Sequence, residues 1–378
     1  MSALGFPRSS AQYAYLVADL RTGDVLDELP LHGVTFSTVL NDAGEFRGQL
    51  ALGARKPRDL LEPGRTALYV VRDGVPVWGG VVWTTKYASA DRSVEIGAAG
   101  FLSYFDRRRV LPASYVPGRD DVGALAPTVY SNVDQADIAR DLIRTAQAHP
   151  GGDIGVRADP PEDPGAPARP RTLSYQAYEL KSVGEALREL AELDEGPDFL
   201  IDVIFGDDGT PVRRLRVGDP RLGRDGAPHV WEYGANLMSY TWPCDGASMA
   251  GRVFALGAGS ESGQLIEAAA DTGLTAAGWP LTETEVSYAH LEDRQVLASI
   301  AAATLRTVNR PVNLPELVVR ADREPVLGSY QVGDHAQVVV RDDFFPDGLD
   351  FRVRILAVEV TPDEETVALT VSPVQEEQ

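Results

Sequence analysis

The stretch that decides the fold is His335–Asp342 (HAQVVVRD), because it closes on the same four residues as an earlier stretch, Arg65–Asp73 (RTALYVVRD). A turn-forming pair precedes each stretch, Gly333-Asp334 in one case and Pro63-Gly64 in the other. Runs rich in β-branched residues between turn residues are typical of β-hairpins. We therefore predict that the two stretches are equivalent strands of two related units.

Each of these strands opens a predicted antiparallel meander of three strands. The strands are Arg65–Arg72, Val75–Tyr87 and Ser93–Ala98 in the first meander, and His335–Arg341, Phe351–Val360 and Thr366–Val371 in the second. The turns fall at Asp73-Gly74, near Asp91, at Phe345–Gly348 and at Pro362-Asp363. Alternating stretches precede the first meander, at Ala14–Leu20, Val25–Leu29, Val34–Leu40 and Glu45–Leu52. Strands spaced in this way suit a small closed or nearly closed barrel.

Helical signals lie outside the meanders. Asp134 can cap a helix with apolar positions from Ile138 to Ala146, and Ser182-x-x-Glu185 is a capping box for a second helix. Leu291–Val308 has an apolar face at helical spacing. Between these helices, Phe199–Phe205 and Val212–Val217 are predicted to pair as a hairpin, whereas the proline-rich segment Asp159–Pro170 is predicted to be a loop.

The predicted fold class is mainly β with α+β insertions, built from two related antiparallel β-barrel domains and two smaller accessory domains. The first barrel takes residues 1–105, and an α+β accessory domain takes residues 106–229. The second barrel is discontinuous, with residues 230–264 and 312–378, and a helical accessory domain, residues 265–311, is inserted within it. Two related barrels would have the same strand order, and each would keep its own sheet.

Composition limits the classes of function. The formal net charge is −21, which argues against binding nucleic acid because phosphate contacts depend on Lys and Arg. The basic triplet Arg107-Arg108-Arg109 is predicted to lie at a domain junction. The N-terminal residues lack a signal-peptide pattern, and no run approaches the ~18 apolar residues of a membrane span, which predicts no membrane segment and folding in a reducing cytoplasm. The single cysteine, Cys244, is predicted to be semi-buried and inert.

Several patterns could carry chemistry, but none has the spacing that the chemistry needs. In Gly257-Ala-Gly259 the third glycine, Gly263, comes one place late for a dinucleotide fingerprint, and Gln264–Ala270 alternates like a strand. The five histidines are scattered, at His32, His149, His229, His290 and His335. The acidic pairs Asp120-Asp121 and Glu283/Glu285 leave a glycosidase pair open. We predict no catalytic residue, no metal site, no cofactor and no enzymatic activity.

The two tryptophans Trp78 and Trp83 flank Gly79-Gly80. Paired glycines in a strand mark a bulge or a close approach of another backbone. We interpret the segment as a site of barrel closure or subunit contact. A platform on which carbohydrate stacks is the alternative.

Three stretches of the first hundred residues resemble minor tail proteins of long-tailed actinobacteriophages: Asp19–Val34 (DLRTGDVLDELPLHGV), Leu40–Gly44 (LNDAG) and Trp78–Trp83 (WGGVVW). Trp231–Gly259 and Gly328–Val340 resemble the same family. The resemblance implies a tail hub (baseplate hub), a homotrimer at the tip of the tail tube. Such a hub has two tube-like barrels and two accessory domains in each subunit, and it adapts a sixfold tube to a threefold tip.

The resemblance also implies partners and a location. A tail tube or distal tail protein ring would lie above the hub, the C-terminus of a tape-measure protein in its lumen, and receptor-binding or tip proteins below. DNA would pass through the hub without specific binding, and the protein would reside in the virion tail tip after assembly in the bacterial host cytoplasm. The alternatives are a phage tail-associated cell-wall or polysaccharide hydrolase or binding protein, with a catalytic carboxylate pair in a cleft, and a cellular OB-like binding module.

Overall fold

The computed structural model describes residues 11–52, 60–158, 168–193, 195–218, 220–226, 228–288, 293–311 and 314–374. The chain divides into two compact units. The first consists of Met1–Ser239 with Leu317–Gln378, and the second of Tyr240–Glu316.

Strands dominate the described residues. They are β1 (Tyr13–Asp19), β2 (Val25–Glu28), β3 (Leu31–Val39), β4 (Glu45–Ala51), β5 (Thr66–Arg72), β6 (Val75–Ala88), β7 (Ser93–Gly100), β8 (Thr128–Asp134), β9 (Val156–Arg157), β10 (Pro170–Tyr175), β11 (Phe199–Phe205), β12 (Pro211–Val217), β13 (His229–Glu232), β14 (Leu237–Thr241), β15 (Arg252–Leu256), β16 (Ile266–Ala270), β17 (Glu283–Ser287), β18 (Glu316–Arg320), β19 (His335–Val340), β20 (Leu349–Thr361) and β21 (Thr366–Pro373). The α-helices are α1 (Leu102–Phe105), α2 (Gln135–Ala148), α3 (Val183–Glu192), α4 (Thr272–Ala276) and α5 (Arg294–Val308).

Both predicted meanders are present. Strand β5 pairs antiparallel with β6 across the Asp73-Gly74 turn, and β6 pairs antiparallel with β7. In the second meander β19 pairs antiparallel with β20, and β20 with β21. Each meander gains one strand on either side, β4 and β1 in the first and β18 and β13 in the second. The two outer neighbours differ, because β1 runs antiparallel to β5 whereas β13 runs parallel to β19.

The expectation that each meander keeps its own sheet is wrong. Strand β3 pairs with β4 on one side and with β20 on the other, and so joins the meanders into a single sheet of thirteen strands. The joining register sets Phe36 opposite Val360 and Val39 opposite Ala357. Within the described residues this sheet runs from β14 to β2 without closing on itself. Burial favours the junction, because Phe36, Val358 and Val360 are all less than 8% exposed.

Alternation along the strands places one face of the sheet in a core. Phe46, Gly48 and Leu50 on β4 are buried, while Arg47 and Gln49 are exposed, as a period of two requires. The ring of Phe46 packs between Tyr15 and Trp78, with centroid distances of 6.4 and 5.4 Å. Aromatic contacts at these distances stabilise a core beyond the area that they bury.

The α+β segment packs on the first meander with no break in the core. A single cluster of buried residues contains Tyr69 and Phe101 from the meander region together with Ile143, Leu187 and Phe199 from the segment. Both predicted helix caps are confirmed, since the Asp134 side chain accepts from the first turn of α2 and Ser182 Oγ accepts from the Glu185 N–H. The predicted hairpin is also present as β11 and β12.

The second unit is α+β rather than helical. Strand β15 lies between β16 and β17, pairing antiparallel with β16 and parallel with β17. Helix α5 covers one face through Leu297 and Ala301, which pack with Ala255 in a small core. Arg252–Leu256, which we expected in the second barrel, therefore lies in a separate sheet. Periodicity shows that Val253 and Ala255 are buried, but it cannot identify the partner that buries them.

Other sequence predictions differ in detail. Trp231–Trp242 is two strands, because the chain turns between Glu232 and Leu237. Cys244 is exposed, not semi-buried. Of the predicted helix Leu291–Val308, residues 294–308 are helical, Asp293 caps them, and residues 291–292 lie outside the described residues, as do residues 159–167 of the proline-rich segment. The strand predicted in Gln264–Ala270 is confirmed as β16. The boundaries of the four domains stay a prediction.

Gly80→Ala is expected to destabilise the first unit. A Cβ atom at Gly80 would lie 2.2 Å from the Ala99 carbonyl oxygen and 2.6 Å from the Trp78 ring, so backbone must shift. Overpacking of this kind costs about 1–3 kcal/mol. Gly123→Ala is the control, because its nearest neighbour would be 3.4 Å away. Equal urea midpoints for the two variants would contradict the predicted close approach at Gly79-Gly80.

Candidate functional site

The predicted tryptophan platform is not available for stacking. Trp78 is 5% exposed, and its indole N–H donates to the Ser37 carbonyl at 2.9 Å. The guanidinium of Arg107 covers the Trp83 ring at 4.1 Å from the centroid, and the Trp83 N–H donates to Ser103. A carbohydrate would need a free aromatic face. This geometry therefore favours a packing role for the two tryptophans over a carbohydrate platform.

The Gly79-Gly80 backbone is the closest approach between the first meander and the α+β segment. A Cβ at Gly79 would lie 2.6 Å from the Val203 side chain on β11 and 2.9 Å from the Tyr69 ring. Glycine is needed here because any side chain would separate the two layers. The paired glycines therefore mark a close approach, as predicted, but to β11 of the same chain and not to a barrel seam; the subunit contact stays a prediction.

A cleft opens beside this contact. Residues that line it include Val75, Trp78, Ile201, Leu327 and Val358, so it lies where the first meander, β11, the end of β20 and the loop before β19 meet. Its volume is about 220 Å³. An engineered apolar cavity of roughly 150 Å³ binds benzene, so this cleft has room for one aromatic ring. No sequence pattern indicates it, because its lining comes from six separate segments of the chain.

Tyr330 supplies a polar group in this apolar cleft. It lines the cleft, its side chain is only 4% exposed, and its ring packs edge-on against Trp231 at 5.4 Å. Its hydroxyl has no hydrogen-bond partner among the described residues. Burial raises the pKa of this hydroxyl, so it stays protonated and can donate. A buried donor without a partner costs stability.

Two buried ion pairs tie distant parts of the first unit together. Asp198, just before β11, pairs with Arg354 on β20, and both side chains are less than 10% exposed. Asp198 also accepts from the Leu222 N–H at 2.9 Å. Arg72 on β5 pairs with Glu365 in the β20–β21 turn at 3.3 Å, and so links the two meanders. The arginines of the two Val-Val-Arg-Asp stretches thus differ in their surroundings, because Arg72 is largely buried and Arg341 is exposed.

Arg213 on β12 is a buried cation held by neutral groups. It is 3% exposed, donates to the Tyr69 hydroxyl at 2.9 Å and to the Leu20 carbonyl at 2.6 Å, and lies over the Phe101 ring at 4.7 Å. It also donates to the Ile154 carbonyl. These contacts attach the α+β segment to the first meander. They serve packing, because the group faces no cavity mouth in the described structure.

The basic triplet lies between the same two parts. Arg107 contacts Trp83 on β6, whereas Arg108 donates to the Ala146 carbonyl at the end of α2. Arg109 forms a β-bridge with Ser182. The side chains of Arg107 and Arg108 are therefore used in packing contacts within the chain.

The carboxylates that left a glycosidase pair open cap turns or pair with arginine. Asp120 accepts from the Val116 N–H, and Asp121 caps a one-turn helix by accepting from Gly123. Glu283 pairs with Arg252 at 2.7 Å, on the same face of β17 as the exposed Glu285. In the part of the chain that the structure describes, no group of three or more His, Cys, Asp or Glu side chains could hold a metal ion. None of the helices described there is long and apolar enough to cross a membrane.

A histidine, an arginine and an aspartate form a cluster near β13 and the loop before β19. Arg224 Nη lies 2.8 Å from His229 Nε2 and 2.6 Å from an oxygen of Asp334, which is fully buried. Burial lowers the pKa of His229, and the nearby Asp334 opposes this shift only in part. Burial alone would raise the pKa of Asp334, but its hydrogen bonds with Arg224 and the charge of that residue lower it.

Three solved structures with a similar fold are tail proteins. The 43 kDa tail protein of prophage MuSo2 from Shewanella oneidensis has a TM-score of 0.58 and 12% identity, covering 96% of this chain and 98% of that one. A tail protein from Neisseria meningitidis MC58 has a TM-score of 0.57 and 14% identity, covering 96% and 97%. Prophage tail protein gp18 from Listeria monocytogenes EGD-e has a TM-score of 0.54 and 13% identity, covering 97% and 95%.

These likenesses extend over whole chains, so the fold is that of phage tail proteins. No known protein-family profile matches the chain. No curated protein matches it either. The likeness is therefore one of architecture, and the narrower resemblance to actinobacteriophage proteins stays a prediction.

Arg354→Met is expected to lower the free energy of unfolding by about 3–5 kcal/mol, because it leaves the buried Asp198 carboxylate without its partner. Arg47→Met is the control, since Arg47 and Glu45 pair with both side chains more than 70% exposed and such pairs contribute about 0–1 kcal/mol. Urea denaturation followed by tryptophan fluorescence measures both. A loss below 1 kcal/mol in Arg354→Met would contradict the role given to this pair.

Stability is expected to fall as the pH drops below about 6.5. Unfolded His229 binds a proton near pH 6.5, whereas the pKa of the folded residue is lower, so the unfolded state binds more protons in between. The pKa of His335 is also lowered by burial, which adds to the effect. Urea midpoints at pH 7.5 and 5.5 measure it. The difference should shrink in His229→Gln and persist in His32→Gln, because His32 is exposed; an unchanged difference in His229→Gln would contradict this assignment.

Proposed function

We propose that this chain is a structural protein of a phage tail, namely the trimeric hub at the tip of the tail tube. The observation that carries the proposal is the match in fold, over 95% or more of both chains, to tail proteins from three bacterial species. The two meanders also support the proposal, because three copies of a chain with two related sheet units can build a ring of six such units. The host of this phage, which we propose to be an actinobacterium, is inferred from the sequence resemblance alone.

The ends of the large sheet support assembly into a ring. Strand β2 ends the sheet on one side, with Val25 46% and Leu26 47% exposed, and β14 ends it on the other, with Met238 46% exposed. Edge strands with exposed apolar side chains are normally covered or paired. Head-to-tail contacts between different edges close a ring when the rotation fits. Three copies would then enclose a channel, with six meanders alternating around it.

The charge of the chain suits a channel for DNA. With a net charge of −21, three copies surround the lumen with excess negative charge. Like charges repel the phosphate backbone, so DNA would pass without binding. We further propose a tail tube or distal tail protein ring above the trimer, the C-terminus of a tape-measure protein in its lumen, and receptor-binding or tip proteins below.

The tail tip of intact virions tests this proposal. An electron-microscopy map is expected to show three copies of this chain around a channel wide enough for duplex DNA, with more Asp and Glu than Lys and Arg on its wall. Obligate contacts of this kind should each bury more than roughly 2,000 Å². A sixfold ring of this chain, a trimer without a channel, or a basic wall would each contradict the proposal.

The hydrolase alternative has its own test. The purified protein is expected to give no clearing of peptidoglycan or host polysaccharide in a zymogram, with a phage endolysin as the positive control. Clearing that is lost when one Asp or Glu pair is replaced would instead support a tail-associated hydrolase.

A further inference from the structure

The β19–β20 turn carries an exposed aromatic tip, defined here as residues 342–348. Phe344 is 69% exposed, the most of any large apolar side chain in the described chain. The tip is ordered, because the Asp342 carboxylate accepts from the N–H groups of Phe344 and Phe345 at 2.9 Å each and the two rings meet edge-on at 4.8 Å. The corresponding turn of the first meander is the two-residue Asp73-Gly74. A rigid tip with an exposed phenyl ring is therefore specific to the second meander.

We propose that the aromatic tip inserts Phe344 into the cleft beside Gly79-Gly80 of a neighbouring copy. This inference rests on the proposed ring of identical chains. The cleft has room for one phenyl ring and is lined by apolar side chains. A buried ring in such a pocket is the kind of contact that dominates interfaces.

Phe344 cannot fill the cleft of its own chain. The cleft is lined by Val358, near the far end of β20, and by residues 327–332, which precede β19. The aromatic tip lies at the opposite ends of these two strands. Nine residues separate Leu349 from Val358, which is roughly 30 Å at about 3.3 Å per strand residue. The contact must therefore be made between chains.

The contact joins different surfaces, so it is heterologous and suits a ring. In a ring with alternating meanders, the second meander of one copy lies beside the first meander of the next. The cleft is built partly from the tip of that first meander, through Val75, Pro76 and Val77. A contact between unlike patches either closes a ring or continues as a filament.

Site-specific cross-linking tests the contact. In a Cys244→Ser background that keeps Phe344, Asp343→Cys combined with Val75→Cys should react with a short bismaleimide to give covalent dimers and trimers. The control pair is Asp343→Cys with Tyr87→Cys, because Tyr87 lies at the other end of β6 and its 58% exposure matches the 60% of Val75. Asp343→Cys alone should not cross-link. Cross-linking of that single variant, or equal yields from both pairs, would overturn the proposal.

Two further variants separate contact from folding. Phe344→Asp should weaken self-association at least about tenfold in sedimentation analysis, with an unchanged Tm, whereas Tyr87→Asp should have no effect. Full association of the Phe344→Asp variant would overturn the contact.

The outcomes also separate this inference from the proposed hub. A trimer that forms without the cross-link between positions 343 and 75 overturns the contact and leaves the hub in place. Cross-linked chains that grow into open polymers instead of trimers support the contact and contradict the hub. A wild-type chain that stays monomeric at high concentration and in the tail overturns both.

Discussion

The pairing of β3 with β20 is the constraint on which the rest of the first unit depends. It spans four residue pairs, from Phe36–Val360 to Val39–Ala357. In the described sheet it is the one strand pairing that joins the two meanders. Without it, both strands would present free edges to solvent, which proteins avoid. With it, the two meanders become one rigid body. Relative motion of the repeats then costs backbone hydrogen bonds and the burial of Phe36.

Buried charges fix the geometry around that junction. Asn41, which follows β3, donates to Asp198 at 3.3 Å, and Asp198 in turn binds Arg354 on β20. One carboxylate thus contacts the turn after β3, the second meander and the α+β segment. Buried ion pairs add little net stability compared with apolar packing, but breaking one is costly. Their value here is that only one arrangement of three chain segments satisfies every group.

The sequence predicts local structure well and long-range pairing poorly. Meander strands and helix caps depend on neighbours within a few residues, so Asp73-Gly74 and Ser182-x-x-Glu185 can be interpreted directly. The β3–β20 pairing joins residues more than 300 positions apart, and no pattern in either strand specifies it. The cleft and Tyr330 are invisible for the same reason. The sequence predicts only a turn around Phe344. Two consecutive aromatic residues among aspartates are the pattern that indicates an exposed contact there.

Asymmetry between the repeats has a physical consequence. Two identical units joined in one chain would present the same edges and tips, so each could pair with itself or with its twin. In this chain Arg72 is buried against Glu365 while Arg341 is exposed, and β1 runs antiparallel where β13 runs parallel. The first tip lines a cleft, and the second carries an exposed ring. Surfaces that differ in this way favour contacts between unlike patches. Such contacts have a defined direction, and they can close a ring of few copies.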